Sequence, residues 1–219
     1  MNMTLSEDQL KLYLCNQLCN FFPDGNDIII PTKSLKDAIY RLEYCFTYNR
    51  LYRKPNELHP KFDYLHSDQY LTFLWILSNQ IWLDTGDKQL STKIYYLNKA
   101  LHSFDCFYDN NLPSIFYVAH GVGITLGKAK YADYLYVCKG VTVGTSRGGK
   151  YPVINERVSL GADSTIIGDL TLEANSSVGA GVNLFNHDVK SGTAVIRDEN
   201  GKLKSIPQNK SLADYIFYS

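Results

Sequence analysis

The chain has 219 residues, enough for one large domain or two small ones with a full apolar core. With 45% hydrophobic and 20% charged residues, its composition excludes wholesale disorder. Twenty-two basic residues balance 22 acidic ones, so the overall charge points to neither nucleic acid nor an anionic membrane surface.

The opening stretch MNMTLSEDQLKL is polar and acidic and lacks the basic and apolar regions of a secretory signal. TLSEDQLKLYLCNQL predicts a first helix, capped by Thr4 or Ser6, with Leu10, Leu14 and Leu18 on one face. FFPDGNDIIIP is a connector rich in helix breakers. After Pro31, TKSLKDAIYRLEYCF places Leu35, Ile39, Leu42 and Phe46 at helical spacing. A third helix is expected over Ser67–Leu83 and a fourth from about Gln89 to Phe104. The longest apolar run, YLTFLWIL, is followed by Ser78, Asn79 and Gln80 and falls short of the roughly 20 apolar residues of a spanning helix. A cytoplasmic protein without an integral membrane segment is therefore expected. The five cysteines include no C-x-x-C pair, which points to reduced, packed thiols rather than a metal site.

After Asp105 the helical spacing disappears. Ile154, Leu160, Ile166, Leu172, Val178 and Leu184 recur at every sixth position without a break. Neither a helix, near 3.6 residues per turn, nor a single strand, near 2, produces that interval. Three one-hexad strands arranged as a triangular coil do, with each sixth aliphatic pointing into a prism and small or bent residues at the corners. Stacked coils pair as parallel strands around a dry column. The fold expected is α+β: a helical domain over residues 1–104, a parallel β-helix over 105–189 and a tail over 190–219. Within that tail DENGK reads as a tight turn and ADYIFY as a short apolar anchor.

The segments AHGVGITLG (Ala119–Gly127) and GVTVGTSRGGKYPVI (Gly140–Ile154), with the hexads LGADST, IIGDLT and VGAGVN, resemble the hexapeptide-repeat acyltransferases. These fold as left-handed parallel β-helices. The similarity is closer to the serine acetyltransferase branch, including relatives that decorate bacterial polysaccharides. What the resemblance implies is acetyl transfer from acetyl-CoA to a hydroxyl, without a metal, in a homotrimer or a dimer of trimers.

A hydroxyl is a weak nucleophile until a base takes its proton, and histidine suits that task at neutral pH. Of five histidines, His59, His66 and His102 lie in the helical half and His187 beyond the last clear hexad. His120 sits in HGVG, where Gly121 and Gly123 allow close approach, and coincides with the catalytic histidine of the family. By the same resemblance Asp105, fifteen residues earlier, matches the partner carboxylate, with Asp109 as its rival. Tyr151 stands where the branch has a second histidine, and Ala119 where it often has an acidic residue. The resemblance associates that second histidine with the acceptor, so Tyr151, Lys150 and Asp109 are the acceptor candidates.

Backbone groups at Gly144, Gly161, Ala162 and Gly179 could meet pantetheine amides, and Arg147, Lys150, Lys202 and Lys204 are candidates for coenzyme phosphates. GTSRGGK lacks the spacing of a nucleotide P-loop. Tyr151 and the aromatic segments Phe104–Tyr108 and Ile115–Tyr117 favour a sugar of a surface polysaccharide, or its precursor, as acceptor. L-Serine is the alternative acceptor. A non-catalytic trimeric scaffold is the alternative of another class, against which His120 in its glycine motif argues.

Overall fold

A computed structural model of the chain describes residues 1–218. Helix α1 (Glu7–Phe21) starts at Ser6, whose hydroxyl accepts from Gln9 N while the Gln9 side chain accepts from Ser6 N. Its Leu10, Leu14 and Leu18 are fully buried. Helix α2 (Thr32–Thr47) buries Leu35, Ile39, Leu42 and Phe46, as their spacing requires. Helix α3 (Ser67–Thr85) is buried almost all round, because α2, helix α4 (Lys88–His102) and the first coil of the β region pack against it. It ends at Gly86, whose φ of 66° is the left-handed cap that glycine adopts without strain. Two short strands, β1 (Asn2–Met3) and β2 (Lys61–Phe62), pair in parallel beside the helices. Among the described residues, no helix is long and apolar enough to cross a membrane.

From Phe104 the chain winds into a parallel solenoid with three faces. One face stacks β4 (Phe116–Ala119), β7 (Leu135–Cys138), β10 (Ser159–Leu160), β13 (Ser177–Val178) and β15 (Thr193–Arg197), and β16 (Leu203–Pro207) closes it antiparallel. A second face stacks β3 (Phe104–Asp105), β5 (Ile124–Leu126), β8 (Thr142–Gly144), β11 (Thr165–Ile167) and β14 (Asn183–Phe185). The third is β6 (Lys130–Tyr131), β9 (Val153–Ile154) and β12 (Thr171–Leu172), capped by a bridge from Leu172 to Val189.

The register explains the sixfold interval. Leu160 pairs with Val137 and Val178, Ile166 with Val143 and Leu184, and Leu172 with Ile154. Successive hexads thus feed three inward columns in rotation, and all six repeat-leading aliphatics are buried. Each contributes about 1.5–3 kcal/mol of burial. The residues four places after the first five aliphatics, Val158, Ser164, Leu170, Ser176 and Val182, are buried beside them, whereas Asp188, after Leu184, is exposed.

Corners turn through left-handed backbone: Tyr134, Arg157, Asn175 and Gly192 at one, with φ between 57° and 65°. After β15 the turn Asp198–Lys202 closes through Lys202 N to Asp198 Oδ1 at 2.9 Å. Helix α5 (Leu212–Ile216) returns along the first face, burying Ala213 and Phe217. Phe217 forms an antiparallel bridge with Asn49, and the Tyr218 hydroxyl donates to Arg53 O, so the tail ties the last coil back to the helices.

Replacing Leu172 by Asp would put an unpaired charge into this column. Destabilisation on the order of several kcal/mol is expected. Thermal melting reads it, and an unchanged melting temperature would mean that the register is wrong.

Candidate active site

The corner between the first and second faces is where the coils differ. In the upper coils one residue separates Cys138, or its register counterpart Gly161, from a left-handed corner residue: Lys139 lies between Cys138 and Gly140, and Ala162 between Gly161 and Asp163. These corners stack by hydrogen bonds, Gly140 N to Val122 O at 2.9 Å, Asp163 N to Lys139 O at 2.9 Å and Gly181 N to Ala162 O at 2.8 Å. Ala119 is in register with Cys138, so Gly123 is the counterpart of Gly140. Three residues, His120, Gly121 and Val122, fill the place of one. The His–Gly pair is therefore an insertion that bulges from an otherwise regular corner.

His120 itself has φ of 54°, a left-handed conformation uncommon outside glycine. Its imidazole is exposed and accepts or donates no hydrogen bond among the described residues. What holds the bulge comes from α3. The buried carboxylate of Asp68 accepts from His120 N at 3.0 Å and from Gly121 N at 2.8 Å. A Cβ on Gly121 would lie 2.5 Å from Leu71 Cδ1, so glycine is needed for the close approach to the helix. Nothing in the sequence singled out Asp68. HSDQY shows a helix start, and no local pattern shows that its carboxylate serves a loop 52 residues later.

Asp105, Asp109 and Tyr151 do come together. They line a cavity of about 630 Å³ with Phe107, Lys128 and Tyr131, below the second face. His120 and Lys150 are not among its lining residues. The Asp105 carboxylate accepts from the Tyr95 hydroxyl at 2.7 Å and from Lys99 Nζ at 2.6 Å, both on α4. Within the single chain it is therefore engaged with α4 and not with His120. Burial opposes its ionisation, but these two hydrogen bonds outweigh burial and hold its carboxyl below the usual carboxylate range. Asn110 secures the cavity wall by donating to Leu126 O and Gly127 O at 2.9 and 3.0 Å.

Tyr151 reaches the cavity because the connection from β8 to β9 is long. Eight residues, 145–152, span what residues 127–129 and 168–170 span in the flanking coils. The loop closes through Ser146 N to Lys150 O at 3.1 Å, and the Lys150 ammonium pairs with Asp169. Lys128 Nζ lies 5.9 Å from the Tyr151 ring centre.

The coenzyme candidates divide. Gly161, Ala162 and Gly179 share a groove of about 300 Å³ on the first face, lined also by Cys138 and by Lys210 and Tyr215 of the tail. A narrow groove with small residues in its lining suits a pantetheine arm. The glycines also have a packing reason: a Cβ at Gly161 would meet Val178 O at 2.7 Å in the next coil. Gly144 lies on β8 of the second face, Arg147 on the 145–152 loop, and Lys202 in the turn after β15, all outside this groove. Lys204 is on β16. Tyr215 and Lys210 were not singled out by sequence, since only the return of the tail brings them here. The remaining histidines are accounted for: His59 faces Glu43 at 3.0 Å, His66 precedes α3, and His102 bonds Asn98 at 2.8 Å. Burial lowers the His102 pKa. His187 is exposed beyond β14. Among the described residues no cluster of His, Cys, Asp and Glu could hold a metal.

No family model matches the chain. Its curated relatives include serine acetyltransferases from Staphylococcus xylosus, 24% identical over 46% of this chain and 51% of that protein, and from Synechococcus elongatus, 27% identical over 46% and 43%. The chain thus spans about half the length of these relatives. Among solved structures, serine acetyltransferase from Vibrio cholerae superposes with a TM-score of 0.68 at 19% identity, over 94% of this chain and 81% of that one. The Neisseria gonorrhoeae enzyme gives 0.63 at 18% identity, over 82% and 70%. The class is therefore a hexapeptide-repeat left-handed β-helix behind an array of N-terminal helices. Within that class the chain resembles the serine acetyltransferases.

Tyr95→Phe and Lys99→Met each remove a donor from Asp105, so Asp105 is expected to titrate at higher pH in both variants, as read by carbon NMR of its carboxyl. Because its folded-state value is depressed, the stability it supplies is present above the ordinary carboxylate range and lost as pH falls through the lowered value. The acid limb of the melting curve should flatten in Lys99→Met. An unmoved Asp105 titration in both variants would refute the assignment.

Proposed function

We propose that this chain is an acetyl-CoA-dependent O-acetyltransferase with L-serine as its acceptor. The observation that carries the activity is the inserted His–Gly corner, which leaves one imidazole exposed beside glycines at the position the family resemblance gives to the base. In the reaction the acceptor hydroxyl attacks the thioester carbonyl while His120 Nε2 or Nδ1 takes its proton. The tetrahedral intermediate then expels the coenzyme thiolate, which His120 reprotonates. The acetyl group passes directly between substrates, and no covalent enzyme intermediate is required.

Serine is supported by the names of the curated relatives and by the charge of the cavity. A zwitterionic amino acid needs a cation for its carboxylate and an anion for its ammonium. Lys128 and Asp109 both line the cavity, and neither is in an ion pair among the described residues. The sugar acceptor expected from Tyr151 has no counterpart among these relatives. It remains the second reading, favoured by the aromatic rings of Phe107, Tyr131 and Tyr151 in a cavity larger than serine requires. The coenzyme lies along the Gly161–Gly179 groove in this proposal, and a homotrimer brings one copy's His120 corner toward a neighbour's cavity. An acetyl-CoA donor places the reaction in the cytoplasm.

Coenzyme release measured with L-serine, nucleotide sugars and glycans tests the acceptor. The highest kcat/KM is expected for L-serine. A sugar preferred over serine would replace the first reading by the second, and no release with any acceptor would count against both. His120→Ala should retain the fold and coenzyme binding and lose turnover by roughly 10²–10⁴-fold. Wild-type turnover in that variant would remove His120 from the mechanism.

A further inference from the structure

We propose that Asp68 is the positioning residue of His120, a carboxylate supplied by α3 that sets the backbone conformation of the corner bearing the base. The inference rests on the reading of His120 as general base and adds to it the group that aims the imidazole.

The geometry is a two-point clamp. Asp68 Oδ2 accepts from His120 N, and Oδ1 accepts from Gly121 N. The first N–H belongs to the peptide plane before the His120 Cα and the second to the plane after it. Peptide planes are rigid, so fixing both fixes φ and ψ of the residue between them. That residue is held at φ 54°, a left-handed conformation that is strained for a side chain with a Cβ. Strain of this kind persists only where surrounding contacts over-determine it.

Among the described residues the Asp68 side chain makes no other hydrogen bond. It is 8% exposed, and no basic side chain pairs with it among the described residues. It lies in the first turn of α3, where the positive end of the helix favours a carboxylate, yet its oxygens turn toward the loop and do not cap their own helix. One turn later Leu71 packs on Gly121, where a Cβ would lie 2.5 Å from Leu71 Cδ1 and force that side chain to shift. Both residues face the corner, so one side of α3 serves as a mould for the inserted residues. The Tyr52 and Tyr117 rings pack 5.7 Å apart behind it.

Asn at position 68 keeps the shape but turns one acceptor into a donor that opposes an N–H. Purified Asp68→Asn should show kcat lower by roughly 10²-fold, the loss that misplacement of a reacting group by about 1 Å produces. Its KM for acetyl-CoA should stay within about twofold of wild type. The amides of His120 and Gly121 should exchange roughly 10- to 100-fold faster, as loss of a hydrogen bond to a charged acceptor implies. Adding Asp68→Asn to His120→Ala should cost no further turnover, because the two residues act as one unit. If Asp68→Asn does not fold, Asp68→Glu keeps both acceptors and the charge but shifts them by one methylene; its kcat should fall by roughly 10-fold with KM for acetyl-CoA within about twofold of wild type, and a folded Asp68→Glu with unchanged kcat would overturn the positioning role. A folded Asp68→Asn with unchanged kcat, or an equal loss in the His120→Ala background, would overturn the positioning role while leaving His120 as base. Wild-type turnover in His120→Ala would instead remove the base assignment and this inference with it.

Discussion

A chain that turns every six residues must meet two demands at once. One side chain per hexad has to fill a prism too narrow for water, and one residue near each corner has to accept left-handed backbone. The first demand is met by Val137, Leu160, Val178 and their counterparts on the other two faces. The second is met by glycine, Asn or Asp at most corners and, at a few, by larger residues such as Tyr134 and Arg157. Two local departures from that repeat stand out. The His120 corner carries two extra residues, and the 145–152 connection is longer than its neighbours. Both project from a scaffold whose strands are fixed by hydrogen bonds above and below, so an insertion cannot relax along the chain and is forced outward.

The helices give this scaffold its asymmetry. A solenoid exposes an open end, and here the first coil is covered by α3 and α4. Cys45 of α2 donates to Phe116 O at 3.2 Å, and Asn79 of α3 donates to Tyr108 O at 2.7 Å, so otherwise unpaired backbone at that end is satisfied from the helical side. The same covering brings Tyr95 and Lys99 onto Asp105 and Asp68 onto the His120 corner. Helices and coils therefore build the candidate site jointly. The tail returns from the last coil along the first face to the helices, where Phe217 bridges Asn49, and on the way Tyr215 comes to line the groove.

Charge is distributed with the same economy. Asp105 is neutralised by α4, Lys150 by Asp169, and Lys139 by Asp163, whereas Asp109 and Lys128 face the cavity unpaired among the described residues. Exposed pairs such as Lys139 with Asp163 contribute little to stability. Their effect is to leave Asp109 and two lysines, Lys128 and Lys130, outside any ion pair among the described residues and beside the aromatic rings that line the cavity.

The four long helices, the coil repeat and its inward residues were legible in the sequence, because each is dictated by contacts at short, regular intervals. Leu10, Leu14 and Leu18 mark a helix face, and Ile154 through Leu184 mark a prism, whatever the rest of the chain does. His120 could be chosen from five histidines by the glycines around it and by the family resemblance. Tertiary structure alone decided what surrounds it. Asp68 and His120 are 52 residues apart, Lys150 and Asp169 are 19, and no periodicity links either pair. Their meeting depends on how α3 docks on the first coil and how successive coils stack. Such contacts arise from the packing of elements already formed, so sequence spacing carries no trace of them.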